Sequence, residues 1–174
     1  MGKQKYLEMN RFTVMDESFN VTVKNEHIQE INLYLKKTKI NETGGILIGY
    51  YSEDFKTAHI TMVTGPPKDS KSGPTWFHRG TKGLKKLLLK KWEYQEFYIG
   101  EWHFHPDGPV EPSPQDIKQM IEISVSRRYN CPEPLMIIVA GKASKFMLQP
   151  YILINGKECL PLVPRIDIVD GEIS

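Results

Sequence analysis

Cysteine is scarce: the chain has two, Cys131 and Cys159, and neither sits in a C-x-x-C pair. Two scattered thiols point to a reducing compartment, and they read better as small hydrophobes in or near the core than as a catalytic thiol. Net charge is also scarce. Lys and Arg number 23 against 21 Asp and Glu, leaving +2. That is too little for the electrostatic footprint of a nucleic-acid or membrane-surface protein. No apolar run approaches the length of a membrane span. The opening MGKQKYLEMN lacks the apolar stretch of a secretory signal, and Tyr6 stands where myristoylation needs Ser or Thr. The expectation is a cytoplasmic protein with no nucleic-acid and no membrane partner.

What is present suits one ordinary globular domain. The chain has 174 residues, 40% hydrophobic and 25% charged, enough for a proper core. A single domain over residues 1–174 is expected, with residues 1–10 and 165–174 loose. No internal repeat or low-complexity tract interrupts it.

Two β-rich stretches within 11–24 suggest a strand or hairpin. Asn25 can cap a helix carrying Ile28, Ile31 and Leu35. Strands are expected at 46–48 and 59–63. Residues 65–80, GPPKDSKSGPTWFHRG, read as a long, shaped loop of the kind that is often functional. A second helix is expected over 81–95, with Leu84, Leu87, Leu88 and Trp92 as its apolar stripe. Its Lys82, Lys85, Lys86 and Lys90 face reads as solvated. Strands at 97–105, 135–139 and 146–154 and a helix from Ser113 complete the pattern. Helices and strands mix without a regular βαβ rhythm, which predicts an α+β (α/β/α) arrangement around one mixed sheet.

The chemistry concentrates in residues 100–116, GEWHFHPDGPVEPSPQD. His103 and His105 stand two apart on a strand, so both imidazoles project from one face, while Trp102 and Phe104 point to the core. Asp116 lies in the first turn of the next helix, which Ser113 caps and Pro114 opens. Two imidazoles and a carboxylate make a three-ligand zinc site with the fourth position left for water. Alone, H-x-H is a weak signal and Ser113–Asp116 an ordinary helix start; the joint spacing is far more specific. Glu42, just before the strand GGILIGYY, is the candidate base for that water.

These residues resemble the JAMM (MPN-type) metalloprotease signature. It consists of a glutamate, Glu42, before the glycine-framed strand Gly45-Ile46-Leu47-Ile48-Gly49. His103-Phe104-His105-Pro106 follows, then Ser113-Pro114-Gln115-Asp116, with residues 106–112 as the seven-residue spacer. The resemblance covers roughly residues 20–155. It implies a mixed sheet between helices, cytidine-deaminase-like in type, and one catalytic Zn2+ held by His103, His105 and Asp116. It implies Glu42 as general acid/base and Ser113 as the donor to the developing oxyanion.

A narrower likeness, carried by residues 65–84, GEWHFHP and CPEPL, is to stand-alone bacterial members found with E1/E2-like proteins in anti-phage (CBASS) operons. That implies an isopeptidase or endopeptidase cutting the amide at the C-terminus of a conjugated protein. A cGAS-like nucleotidyltransferase is the first candidate and a ubiquitin-like protein the second.

A non-catalytic MPN scaffold and a zinc hydrolase of small-molecule amides are the competing readings. The complete residue set argues against the first. His27, His59 and His78 read as surface or packing residues, and Asp107 and Glu111 as solvent-facing. Trp76, Phe77 and Arg79 read either as a clamp for an extended substrate tail or as pins for their own loop.

Overall fold

The structure, a computed structural model, describes residues 9–38 and 40–164. Residues 1–8 and 165–174, most of the two ends expected to be loose, lie outside the described residues. Met9 and Asn10, expected within the loose head, instead belong to β1 (Met9–Thr13), which pairs with β2 (Asn20–Lys24) as a hairpin. Helix α1 (Asn25–Thr38) follows directly. Then come β3 (Thr43–Tyr51) and β4 (Thr57–Val63). The loop expected at 65–80 contains a small hairpin of its own, β5 (Lys71–Gly73) and β6 (Trp76–His78).

Helix α2 (Leu84–Trp92) is shorter than the expected 81–95. Its start is cut back because the backbone N–H groups of Thr81 and Lys82 donate to the Asp69 carboxylate. Its end is closed by Gln95 at φ 57°, with Gln95 and Glu96 donating back to the carbonyls of Trp92 and Lys91, a left-handed stop. The remaining elements are β7 (Phe97–Pro106), α3 (Pro114–Val125), β8 (Leu135–Lys142), β9 (Lys145–Ile154), β10 (Glu158–Pro161) and β11 (Val163–Pro164).

Nine strands form one mixed sheet in the order β10-β9-β8-β7-β3-β4-β2-β1-β11. β7 runs parallel to β8 and β2 parallel to β4; the other pairs are antiparallel. Alternation along the central strands sorts side chains between two faces. Leu47 of β3, Trp102 and Phe104 of β7, and Leu135, Ile137 and Val139 of β8 share a core with Ile31 and Leu35 of α1. On the other face, Ile46, Ile48, Tyr98 and Ile123 form a cluster against which Leu84, Leu87 and Leu88 pack. Met120 joins Met136 and Ile138 beside it. Helix α1 therefore covers one face and α2 with α3 the other, the expected α+β domain of three layers.

One irregularity in β7 sets up the site. Leu47 pairs with Gly100 but Ile48 pairs with Tyr98, so Ile99 is an extra residue, a bulge. It leaves Ile99 in the α1 core and turns Tyr98 and Glu101 toward each other, with Tyr98 Oη donating to Glu101 Oε1 at 3.0 Å. Gly100 sits at φ 153°, and a Cβ there would come within 2.1 Å of the Leu135 carbonyl oxygen, so no larger residue fits. Among the described residues, no helix is long and apolar enough to cross a membrane.

Candidate metal centre

Two elements bring the predicted ligands together. His103 and His105 project from the same side of β7, opposite Trp102 and Phe104. Asp116 occupies the first turn of α3. All three are buried, and one ligand atom from each lies within 4.8 Å of the others. His103 Nδ1 is 2.6 Å from Asp116 Oδ1, and His105 Nε2 is 3.3 Å from Asp116 Oδ2.

The aim of each ligand has a local cause. Ser113 caps α3 with its hydroxyl, which accepts from the Asp116 N–H at 3.2 Å. In return Asp116 Oδ2 accepts from the Ser113 N–H at 2.7 Å and from its hydroxyl at 2.6 Å, a reciprocal capping box. His105 Nδ1 lies 3.1 Å from the Pro109 carbonyl oxygen. An oxygen that can only accept requires the proton on Nδ1 and leaves the Nε2 lone pair facing Asp116. Opposite His103 in the ladder is Gly44. A Cβ there would stand 2.3 Å from the Trp102 carbonyl oxygen and 2.9 Å from the His103 ring, so the strand can press against the site only as glycine.

The electrostatics agree with a cation-binding cluster. Burial would raise the Asp116 carboxyl pKa, but hydrogen bonds to His103 and His105 hold it well below the ordinary carboxylate range. Burial would lower His103, but Asp116 and Glu101 push it up to about 9. Proton and metal compete for such nitrogens. Buried, convergent and of N₂O type, this donor set can hold a divalent cation and suits zinc with one position open.

Glu42 immediately precedes β3 and is half-buried. Burial, with the Asp116 charge, raises its pKa, and the two histidines oppose that shift. Its backbone N–H donates to the Gly73 carbonyl at 2.9 Å. The β5–β6 hairpin therefore anchors the start of the strand that carries it.

The histidines outside the signature behave as packing or surface groups. His27 is buried in α1, His59 lies 2.9 Å from the Thr22 hydroxyl, and His78 is exposed. Asp107 and Glu111 are exposed, as expected. For the loop residues Trp76, Phe77 and Arg79, the contacts favour the pinning reading at two positions. Phe77 is buried with its ring edge-on to His103 at 5.5 Å. Arg79 is buried in an ion pair, Nη2 to Glu101 Oε1 at 2.8 Å. Trp76 is the exposed member.

Glu101 is the site-adjacent residue that the sequence reading missed. It is 1% exposed, yet carries a charge satisfied on both oxygens. Oε1 accepts from Arg79 Nε at 2.9 Å as well as from Tyr98, and Oε2 accepts from Gln119 Nε2 at 2.8 Å. Burial alone would raise its pKa, but His103 and Arg79 reverse this and lower it. A signal was available: Glu101 lies two residues before His103 in an apolar strand and so shares its face.

Fold and site together define a JAB-type domain. The chain belongs to the prokaryotic homologs of the JAB domain, a family that matches residues 24–149. Among its relatives is a protein of Enterobacter hormaechei subsp. hoffmannii named CD-NTase/cGAS isopeptidase, 42% identical over 139 residues, 76% of this chain and 77% of the relative. An Escherichia coli protein of the same name is 28% identical over 145 residues, 78% of this chain and 86% of that protein. The solution structure of protein DSY2949 from Desulfitobacterium hafniense matches with a TM-score of 0.56 at 15% identity, over 86% of this chain and 92% of that one. That likeness speaks for the fold alone.

Proposed function

We propose that this protein is a zinc-dependent isopeptidase that releases a conjugated CD-NTase by hydrolysing the amide at its C-terminus. The observation that carries the reading is the buried convergence of His103, His105 and Asp116, with Glu42 held under their electrostatic influence. The family membership and the names of the relatives support the substrate class. The conjugate itself would be supplied by E1- and E2-like proteins in the cytoplasm. The three-layer arrangement supports the cytidine-deaminase-like fold that goes with this reading.

His103, His105 and Asp116 would hold the ion. When bound, zinc supplies Lewis acidity and brings the pKa of water toward ~7. Glu42, half-buried beside the ligands, takes the proton of the attacking water and returns it to the leaving amine. Ser113 donates to the oxygen that becomes negative. Its hydroxyl donates to Asp116 Oδ2 in the resting arrangement, so this role needs a rotation about one side-chain bond. The β5–β6 hairpin, with Trp76 exposed, flanks the path of an extended tail, whose backbone could pair with a strand edge.

The test joins the C-terminus of a CD-NTase, and separately that of a ubiquitin-like protein, to a reporter and maps cleavage by intact mass. Wild-type protein should carry about one zinc per chain and cut the CD-NTase junction, and a chelator should stop it. Glu42→Gln should keep its zinc and its fold while turnover drops by several orders of magnitude. Cleavage of the ubiquitin-like fusion alone would change the substrate. A folded, zinc-loaded protein that cuts neither fusion but hydrolyses a small-molecule amide would overturn the isopeptidase reading.

A further inference from the structure

Every ligand atom of the site but one ring has an evident hold on its orientation. Asp116 is fixed by the cap of α3, and His105 by the Pro109 carbonyl. His103 presents Nδ1 to Asp116, but its other nitrogen, Nε2, is buried with no hydrogen-bond partner. The acceptor facing it is Glu101 Oε2, 3.8 Å away, beyond hydrogen-bonding distance of about 2.9 Å.

Glu101 is equipped to complete that contact. Its Oε1 already receives the Arg79 Nε–H and the Tyr98 hydroxyl, with Arg79 Nη2 paired to it at 2.8 Å. Its Oε2 receives only Gln119, so a carboxylate oxygen with about two acceptor directions keeps one free. Arg79 is in turn fixed by the Gly80 carbonyl at 2.9 Å and the Tyr129 hydroxyl at 2.7 Å. A buried carboxylate braced this firmly cannot swing toward the ring, so the ring must come to it.

Metal size supplies the displacement. Two donors sharing a tetrahedral ion at ~2.0–2.2 Å would stand about 3.3–3.6 Å apart. His103 Nδ1 and Asp116 Oδ1, the carboxylate oxygen that Ser113 does not occupy, are closer, at 2.6 Å. Widening that gap moves the His103 ring away from Asp116. Nε2, joined to Nδ1 through the single carbon Cε1, moves with the ring and has a 3.8 Å gap to Glu101 Oε2 to close.

We propose that Glu101, braced by Arg79, is the positioning residue for His103: it accepts the Nε2–H, fixes the tautomer that offers Nδ1 to the metal, and strengthens that nitrogen as a donor. The proposal rests on the metal reading above and adds a second layer to it. It gives Arg79 a reason to be buried that a stabilising ion pair alone does not, since burial of such pairs is weak evidence for stability.

Two measurements decide it, neither of them enzymatic. The first is zinc affinity by competition with a chromogenic chelator, on wild type, His103→Ala, Glu101→Gln and Arg79→Gln, each checked for a native circular-dichroism spectrum. Failure of wild type itself to bind zinc would sink the metal reading. Given binding by wild type and loss in His103→Ala, Glu101→Gln should bind 10–100-fold more weakly, with Arg79→Gln weakened in the same direction. Wild-type affinity in a folded Glu101→Gln would overturn the positioning role and leave the metal site standing. The second measurement needs no variant. Long-range ¹H–¹⁵N correlation spectra of the zinc-loaded wild type show which ring nitrogen of His103 is protonated. A proton on Nε2 with metal on Nδ1 is the expected result, and the reverse assignment overturns the proposal.

Discussion

Helices α2 and α3 lie on the same face of the sheet, yet they do opposite jobs. Helix α3 opens on a capping box, carries Asp116 in its first turn, and buries Met120 and Ile123. Helix α2 begins at Gly83 in a left-handed conformation with no side-chain cap, and none of its residues is fully buried. Leu84, Leu87 and Leu88 rest partly against the core, while Leu89 and Trp92 stay 53% and 65% exposed. An amphipathic stripe in sequence thus distinguishes a helix from a loop. It does not distinguish a helix that holds a site from one that merely covers an edge of the core.

The sharpest way to break the contrast is Asp116→Ala. It removes a ligand and the returning half of the cap together. Bound zinc should fall from about one per chain to near none by metal analysis, and turnover should fall with it. Full zinc occupancy in a folded Asp116→Ala protein would take α3 out of the site.

Next in size is Met120→Ala. Met120 is fully buried, so truncation should cost about 2–5 kcal/mol in denaturant unfolding. Ser113→Ala should cost about 0.5–2 kcal/mol as a lost cap, and slow catalysis by about 10²–10³-fold if it is the oxyanion donor. A stability loss with unchanged turnover would confine Ser113 to capping.

The smallest effect belongs to α2. Trp92→Ala should shift stability by no more than about 0.5 kcal/mol, as exposed substitutions do. A loss matching Met120→Ala would show that α2 is docked as firmly as α3, and would dissolve the comparison.

Much of this was legible in the residues, for identifiable reasons. Period-two alternation in EWHFHP separates Glu101, His103 and His105 from Trp102 and Phe104 without any tertiary knowledge. The Ser113-Pro114-Gln115-Asp116 start is a local device, so its geometry follows from spacing. What escaped depends on partners distant in sequence. The start of α2 is set by Asp69, twelve and thirteen residues before the N–H groups it binds. The choice between clamp and pin for Phe77 and Arg79 stayed open in the sequence for the same reason. Their partners are His103 and Glu101, on a strand more than twenty residues away, and no periodicity connects them. The bulge at Ile99 is likewise invisible until β3 is laid beside β7.

The capping box has a consequence in time. Asp116 is aimed by the Ser113 backbone and hydroxyl, groups present as soon as α3 forms. Its direction is therefore settled by the chain itself, and an ion that arrived late would meet a carboxylate already in position.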